Sequence, residues 1–248
     1  MDQSGKQYHV QLEKGDVGRY VLLPGDPGRC EPIAALFDDA KHVATNREYV
    51  TYTGYLDGVK VSVTSTGIGC PSAAIAVEEL ARVGADTFIR VGTSGAIQKD
   101  IHSGELGIIS AAIRDEGTTL HYMPIEFPAV ADLDVTQALQ RAAQKVGATY
   151  RTGISQSKDS FYGQHEPERM GVAHNLLDRW KAWEIGGAIC SEMEASAIFV
   201  ISSMLRLRAG GVMAMHGVEP MPPLTTLLDT AVQGLREMIA FDKAAGTI

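Results

Sequence analysis

The sequence predicts an α/β fold, with residues 1–248 forming one domain around a central mixed, twisted β-sheet flanked by helices. Short apolar runs that end in glycine-rich turns alternate with stretches of helical periodicity, which is typical of sheets that contain parallel strands. No repeat, low-complexity segment or interdomain linker interrupts this alternation. A chain of this length can bury one large core, so a single domain is the simplest interpretation.

Each predicted element follows from hydrophobic periodicity between turn signals. Asp57-Gly58 lies between two alternating runs and predicts a hairpin, and Pro71 suits the first turn of a helix. In chain order, the predicted strands cover residues 19–23, 47–55, 59–64, 87–91, 106–113, 150–157 and 211–215. The predicted helices cover residues 33–37, a segment that begins at Pro71, and residues 133–146, 174–183, 195–205 and 227–239.

The run over residues 87–91 is predicted to be a buried strand that breaks into a glycine-rich turn at residues 92–96. Arg90 lies inside this run, where its charge is costly to bury unless an anion meets it. The two glycines of the turn allow close approach of a ligand, and its hydroxyl side chains offer hydrogen bonds. Two interpretations stay open: an anion site, or a βα turn in which Arg90 pairs with a buried carboxylate.

A second loop has a similar character. The first predicted strand is closed by a Pro- and Gly-rich loop at residues 24–29, which precedes a helix and contains Gly25 and Arg29. A glycine loop at a helix start can bind an anion, although the spacing matches neither a P-loop nor a dinucleotide fingerprint. Taken alone, this loop is better interpreted as a surface turn.

Two segments of the second half carry polar groups near predicted element ends. Residues 158–171 contain Phe161 and Gln164, which either frame a flat heterocycle or pin the loop to the surface. Glu192 and Glu194 precede a helix-forming run, where carboxylates either cap the helix or bind a sugar diol.

Composition limits the function classes. The net charge of −8 argues against a nucleic-acid partner, because a phosphate backbone requires a basic surface. Cys30, Cys70 and Cys190 have no metal-ligand spacing and are expected to be reduced thiols of a cytoplasmic protein. Residues 1–10 lack the apolar core of a secretory signal, and no apolar run predicts a membrane span.

Six short segments occur together in one order along most of the chain. They are residues 23–29 (LPGDPGR), 65–69 (STGIG), 90–95 (RVGTSG), 127–132 (FPAVAD), 159–162 (DSFY) and 192–195 (EMEA). In this order they resemble the nucleoside phosphorylase-I family, and within it most closely the uridine phosphorylases. The resemblance implies phosphorolysis of uridine, and of other pyrimidine nucleosides as further candidates, to the free base and ribose 1-phosphate.

The resemblance also implies roles for the phosphate and ribose ligands. Phosphate would be bound by Gly25, Arg29, Arg47, Arg90 and Thr93, and ribose by His9, Glu192, Met193 and Glu194. Arg47 and His9 would act across a dimer interface, so the resemblance predicts a homo-oligomer, most simply a hexamer built from dimers. Arginine suits phosphate because its planar guanidinium makes bidentate, charge-assisted bonds.

For the base, the resemblance implies Phe161, Gln164 and His165. The residues that the resemblance implies to be catalytic are Arg29, Arg90, Glu194 and Gln164. The uridine phosphorylases carry an arginine two residues after this glutamine, whereas this chain has Glu166 in a shorter loop. His165 and Arg169 are the two candidate replacements.

The resemblance requires no organic cofactor, since phosphate is a co-substrate, but it implies a structural potassium ion held by Glu48, Ile68 and Ser72. Oxygen ligands suit a hard cation, and a salt bridge of Glu48 is the alternative. Three other functions stay open: a purine nucleoside phosphorylase, a nucleoside hydrolase and a non-catalytic nucleoside-binding protein. Residues 213–220 lack the aspartate of purine-specific relatives, which favours a pyrimidine, and the three arginines argue against a hydrolase.

Overall fold

The computed structural model describes residues 5–248, in which ten strands of one sheet alternate with helices. The strands are β1 (Tyr20–Pro24), β2 (Asp38–Asn46), β3 (Tyr49–Leu56), β4 (Val59–Thr64), β5 (Thr87–Ala96), β6 (Leu106–Asp115), β7 (Ala129–Val130), β8 (Tyr150–Lys158), β9 (Cys190–Glu192) and β10 (Arg208–His216). The α-helices are α1 (Cys30–Ala34), α2 (Cys70–Arg82), α3 (Leu133–Val146), α4 (Phe161–His165), α5 (Ala173–Ile185), α6 (Ala195–Met204) and α7 (Thr225–Ala244). The α/β class predicted from the sequence is confirmed.

The sheet is mixed and partly closes on itself. Strands β4, β1, β5 and β10 are parallel neighbours, and β10 also pairs antiparallel with β6. Strand β6 continues to β8 and β9, and β9 returns to pair with β5. Five strands therefore form a closed ring, and β4, β3 and β2 extend from it through β1.

Helices cover both faces of the sheet because its central strands are apolar on both sides. In β1, Val21 and Leu23 face a core that includes residues of α2 and α6, whereas Tyr20 and Leu22 face residues of α1, α3 and α7. This continuous burial is the expected pattern for parallel strands between two helical layers. None of the helices within residues 5–248 combines the length and the hydropathy that crossing a membrane requires.

The predicted break after residue 91 is wrong. Strand β5 continues to Ala96, and its pairing with β10 extends to Gly95 opposite His216. Gly92 is favoured here by packing, since a Cβ at this position would lie 2.6 Å from Met213 Sδ. The neighbouring strands supply the hydrogen bonds that keep a glycine-rich segment extended.

Two further predictions need correction. The sequence indicates a strand over residues 47–55, but β3 begins at Tyr49 and Arg47 lies in the turn after β2, with a left-handed φ of 54°. Strand β2 was not predicted because it is largely polar and exposed along its length. The segment 158–171 was expected to be a loop, yet it contains helix α4, whose first turn is capped by the Ser160 hydroxyl accepting from Gly163 N.

Candidate active site

The carboxyl end of β1 and the middle of β5 meet the amino ends of α2 and α6, and a buried ion pair lies between them. Arg90 on β5 is 4% exposed and pairs through Nη2 with Glu194, which is 3% exposed and precedes α6. Glu194 Oε1 also accepts from Gly69 N at 2.6 Å, at the start of α2. The pairing of Arg90 with a buried carboxylate is thus confirmed, but within a strand rather than in a βα turn.

A second guanidinium lies close to the first. Arg29 Nη2 donates to Thr93 Oγ1 at 3.3 Å. Burial and the neighbouring charge of Arg90 both lower the pKa of Arg29, which reflects the proximity of two like charges. Arg90 Nε is buried without a hydrogen-bond partner among the described residues. This end of the sheet therefore holds two cations, with donor capacity remaining for an anion.

A glycine lies in close contact with these arginines. A Cβ on Gly25 would lie 3.1 Å from Arg90 Nη1 and 3.3 Å from Gly67 O, so any larger residue would crowd the guanidinium. The structure therefore brings Gly25, Arg29, Arg90 and Thr93 together, as the sequence predicts for a phosphate site. Their role in binding phosphate stays a prediction.

The segment expected to bind ribose begins helix α6. Glu192 Oε2 accepts from the backbone N–H groups of Glu194 and Ala195, each at 2.8 Å, and Oε1 accepts from the Ser157 hydroxyl. Burial, followed by the charge of Glu194, raises the pKa of Glu192. Met193 is half-buried between the two carboxylates. These contacts fix the position of Glu194, which closes one side of the arginine pair.

The residues expected to contact a base lie on the short helix α4. Phe161 is 51% exposed, and its ring centroid is 4.2 Å from that of His165. Gln164 Oε1 accepts from Ser191 Oγ at 2.7 Å, while Gln164 Nε2 lies 3.5 Å from the position that a Cβ on Gly95 would take. Gln164 thus reaches the end of β5, five residues beyond Arg90, and the predicted grouping of these residues is supported by geometry.

Arg169 has other partners. Its Nε is 2.5 Å from Glu166 Oε2, and its guanidinium carbon lies 5.4 Å from the centroid of the Tyr162 ring. The side chain is more than half exposed. Of the two candidate replacements for the missing arginine, only His165 therefore lies beside Phe161 in this structure.

Sequence reasoning missed a buried lysine at the end of β8. Lys158 is 6% exposed, and its Nζ donates to Ser191 Oγ at 2.7 Å. Burial lowers the pKa of Lys158, while the charges of Glu192 and Glu194 oppose that shift. The signal was a charged residue at the end of a strand whose preceding three residues are buried. A cavity of about 490 Å³, bounded by β8, α4 and α5, is lined by Lys158 and Gln164 among others.

His9 and Arg47 lie on a different part of the chain surface. His9 Nδ1 is 2.7 Å from Glu79 Oε1, and the His9 carbonyl accepts from Asn46 Nδ2 at 2.7 Å. Arg47 follows Asn46 and is exposed. The structure brings these two residues close to each other but joins neither to Arg29 or Arg90 of the same chain.

The residues predicted to hold a cation gather around Gly67, which has a left-handed φ of 69°. Ser72 Oγ donates to Ile68 O at 3.2 Å, and Glu48 Cγ would lie 2.7 Å from a Cβ on Gly67. Glu48 forms no ion pair within residues 5–248, so the alternative of a salt bridge in this chain is not supported. Carboxylate, carbonyl and hydroxyl oxygens here fit a monovalent cation, whose presence stays a prediction.

Comparison with known proteins shows the family to which the chain is similar. Residues 19–231 match the family model described as the phosphorylase superfamily. The chain is 52% identical to a uridine phosphorylase of Treponema pallidum over 85% of its own length and 82% of the relative's. It is 51% identical to a uridine phosphorylase of Thermococcus kodakarensis, over 86% and 78% of the two lengths. A guanosine phosphorylase of Halorubrum lacusprofundi is 41% identical, over 86% and 83%.

Proposed function

The chain belongs to the phosphorylase superfamily, and from this we propose that it catalyses the phosphorolysis of uridine to uracil and ribose 1-phosphate. The observation that carries the proposal is the meeting of Arg29 and Arg90 beside Gly25 and Thr93, where β1 ends next to the middle of β5. A pair of adjacent guanidinium groups suits a dianion such as phosphate. The uridine phosphorylases at 51–52% identity support uridine as the nucleoside.

The reaction needs no covalent bond to the protein. A phosphate oxygen attacks C1′ of the ribose and forms the new C–O bond. The C1′–N1 bond breaks, and its electron pair stays on the uracil ring as an anion. That anion takes a proton from water, so uracil and ribose 1-phosphate leave. Positioning of the reactants and electrostatic stabilisation supply the rate enhancement in such a site.

The phosphate end of the site would act through Arg29 and Arg90. Because Arg90 is held by Glu194, its guanidinium is preorganised and needs no rearrangement when phosphate arrives. Each Glu194 oxygen already accepts one hydrogen bond, from Gly69 N or from Arg90, and its remaining lone pair would accept from a ribose hydroxyl, with Met193 and Glu192 beside it. A carboxylate accepts hydrogen bonds from two hydroxyls at once, which fixes the sugar over the phosphate.

The base would lie against Phe161 and His165, with Gln164 bonding its polar edge. The ring of Phe161 is half exposed and is available to stack on a flat heterocycle. Gln164 Nε2 faces Gly95 at the end of the strand that carries Arg90, so base and phosphate would be held at successive positions along β5.

We also propose that the active form is a homo-oligomer in the cytoplasm, a hexamer built from dimers. His9 and Arg47 lie together, and neither contacts Arg29 or Arg90 of the same chain, which suits a role in a neighbour's site. Three buried free thiols suit a reducing compartment. A cation at Glu48, Ile68 and Ser72 would then be structural, near the same surface.

Uridine absorbance followed with and without phosphate tests the proposal, with inosine and guanosine measured alongside. We expect loss of uridine only when phosphate is present. Preferential turnover of a purine nucleoside would replace uridine by the substrate class of the Halorubrum relative. Uridine turnover in phosphate-free buffer would indicate a hydrolase, and tight binding without turnover would indicate a binding protein.

A further inference from the structure

The first turn of helix α6 is held by one buried side chain from each of two strands. Glu192, the last residue of β9, accepts from the backbone N–H groups of Glu194 and Ala195, each at 2.8 Å. Ser157 in β8 accepts from the next N–H group, that of Ser196, at 2.9 Å. An α-helix leaves the N–H groups at its start without partners inside the helix. The two side chains together supply those partners for α6.

The same serine is also bonded to the same glutamate. The Ser157 hydroxyl donates to Glu192 Oε1 while it accepts from Ser196 N. A backbone N–H group can only donate, so the hydroxyl keeps its own proton for Oε1. Water does not reach this unit, since Ser157 is 0% and Glu192 is 3% exposed. The donor and acceptor of each bond are therefore determined by the positions of the heavy atoms.

Glu192 and Glu194 differ in the acceptor capacity that remains for a ligand. Glu192 accepts three hydrogen bonds, two at Oε2 and one at Oε1. Glu194 accepts one bond at each oxygen, from Gly69 N and from Arg90. A carboxylate has about four lone-pair sites, so Glu192 keeps about one and Glu194 keeps about two. Of the two carboxylates, Glu194 is the one that can accept from two hydroxyls.

Glu194 lies between this helix cap and the arginine pair. Its backbone N–H is held by Glu192, whereas its carboxylate is held by Gly69 and Arg90. Burial, followed by the charge of Glu194, raises the pKa of Glu192, and the hydrogen bonds from Ser157 and from Glu194 N oppose that shift. Loss of the Ser157 hydroxyl would thus weaken a buried carboxylate on which the position of the Glu194 backbone depends.

We propose that Ser157 is a positioning residue for Glu194 and acts through Glu192. Its role rests on the proposed phosphorolysis, in which Glu194 accepts from ribose hydroxyls. The two acids then have separate tasks, because Glu192 holds the start of α6 and Glu194 contacts the sugar. Such positioning matters for the rate, since a displacement of about 1 Å can lower it about 10²-fold.

The test compares nucleosides that differ in one ribose hydroxyl. We would measure kcat/KM for uridine, 2′-deoxyuridine and 3′-deoxyuridine at saturating phosphate, in the full-length protein and its Ser157→Ala variant. We expect Ser157→Ala to lower kcat/KM for uridine about tenfold, since one hydrogen bond to a charged group is lost. The loss should be below about twofold for an analogue that lacks a hydroxyl bonded by Glu194, because the two changes remove the same interaction.

Ser155→Ala is the matched control. Ser155 lies on the same face of β8 and is equally buried, and its hydroxyl has no hydrogen-bond partner among the described residues. This variant removes the same atom from the same strand without breaking a hydrogen bond, so kcat/KM should stay unchanged for all three nucleosides. An equal loss for the three nucleosides in Ser157→Ala, or no loss, would overturn the proposal.

Glu194→Gln separates the two carboxylates. If Glu192 were itself a ribose ligand, the selective loss in Ser157→Ala would persist when Glu194→Gln is also present, whereas we expect it to disappear. If Ser157→Ala does not fold, Glu192→Gln takes its place. An amide oxygen can still accept the two N–H groups, but the amide NH₂ group cannot accept the Ser157 proton. The same selective loss for uridine is then required.

The two proposals fail in different ways. If the unaltered protein does not consume uridine with phosphate, the phosphorolysis itself is wrong. If the unaltered protein is active and Ser157→Ala does not distinguish uridine from either deoxynucleoside, only the role of Ser157 is wrong.

Discussion

The site has an arginine end, which contains Arg90 and Glu194, and a base end, which contains Phe161 and His165. The two ends are built in different ways. Arg90 and Glu194 lie on the closed part of the sheet and at a helix start, and both are more than nine-tenths buried. Phe161 and His165 lie on a helix of five residues at the surface, and both are exposed. The first arrangement is fixed by the core, whereas the second depends on a short segment and on the polar side chains beneath it.

This difference indicates which parts of the site can change independently. A substitution at Arg90 disturbs a buried charge and the elements around it, so it affects folding and activity together. A substitution at Phe161 removes a surface contact and leaves the core intact. We expect the chemistry shared by the family to reside in the first region and the choice of base in the second.

The largest expected effect tests whether the buried pair serves both folding and activity. Arg90→Met leaves the buried Glu194 carboxylate without its counter-ion, which costs about 3–5 kcal/mol of unfolding free energy. We expect kcat/KM to fall by about 10³-fold or more, because a preorganised phosphate donor is lost as well. Denaturant unfolding and steady-state kinetics measure the two quantities.

Arg82→Met is the control for Arg90→Met, since Arg82 is an exposed residue in an i,i+4 pair on α2. The double variant Arg90→Met with Glu194→Gln should recover part of the stability but none of the activity. Full activity of Arg90→Met would contradict the assignment of the arginine end to phosphate.

The next effect separates the two arginines. Arg29 is only half-buried and donates to Thr93, so Arg29→Met should change stability little. We expect the KM for phosphate to rise about 10²-fold, with a much smaller change in the KM for uridine. Initial rates over a grid of both substrates measure the two constants. An unchanged phosphate KM would remove Arg29 from the phosphate site.

A smaller effect is expected at the base end. Phe161→Ala should raise the KM for uridine about tenfold, since one base–aromatic stack contributes about 1–3 kcal/mol. Because Phe161 is half exposed, Tm and the phosphate KM should stay the same. Tyr162→Ala is the matched control, as Tyr162 is similarly exposed but lies against Arg169. If both variants raised the KM for uridine equally, Phe161 would have no specific role in stacking on the base.

The smallest expected effect is a change in the pKa of His165. Burial and the charge of Lys158 lower the pKa of His165, while Glu166 opposes the shift, so protonation should occur below the ordinary range of histidine. Lys158→Met removes one lowering charge, and the pKa of His165 should rise. The imidazole C–H resonances followed by NMR from pH 5 to 8 report it. A pKa that does not move would place Lys158 too far from His165 to act on it.

The same contrast decides how much could be predicted from the sequence. The arginine end was predicted because Arg90 interrupts an apolar run and its glycine-rich flank is conspicuous. The extent of β5 was not, since glycine is a poor strand former and pairing with β10 and β9 keeps this segment extended. Strand β2 has no apolar alternation, so its pairing with β3 is visible only in three dimensions.

At the base end, the aromatic and amide residues could be predicted, but their polar support could not. Lys158 reads as a surface charge that follows a strand, because no local pattern shows that α4, α5 and β9 cover it. Its contact with Ser191 joins positions 33 residues apart in the chain. Such a contact depends on how β8 and β9 pair, which the hydrophobic pattern does not specify.

The closed ring of strands has a consequence for synthesis of the chain. Strands β5 and β6 are consecutive, yet β10 lies between them in the sheet, so the ring closes only after residues 208–216 have left the ribosome. Until then, the strand that carries Arg90 has one open edge, and nascent chains should be cut by protease within residues 87–96. Chains stalled at increasing lengths should become resistant there only once β10 has emerged. The order of translation thus makes the proposed phosphate site one of the last parts of the molecule to mature.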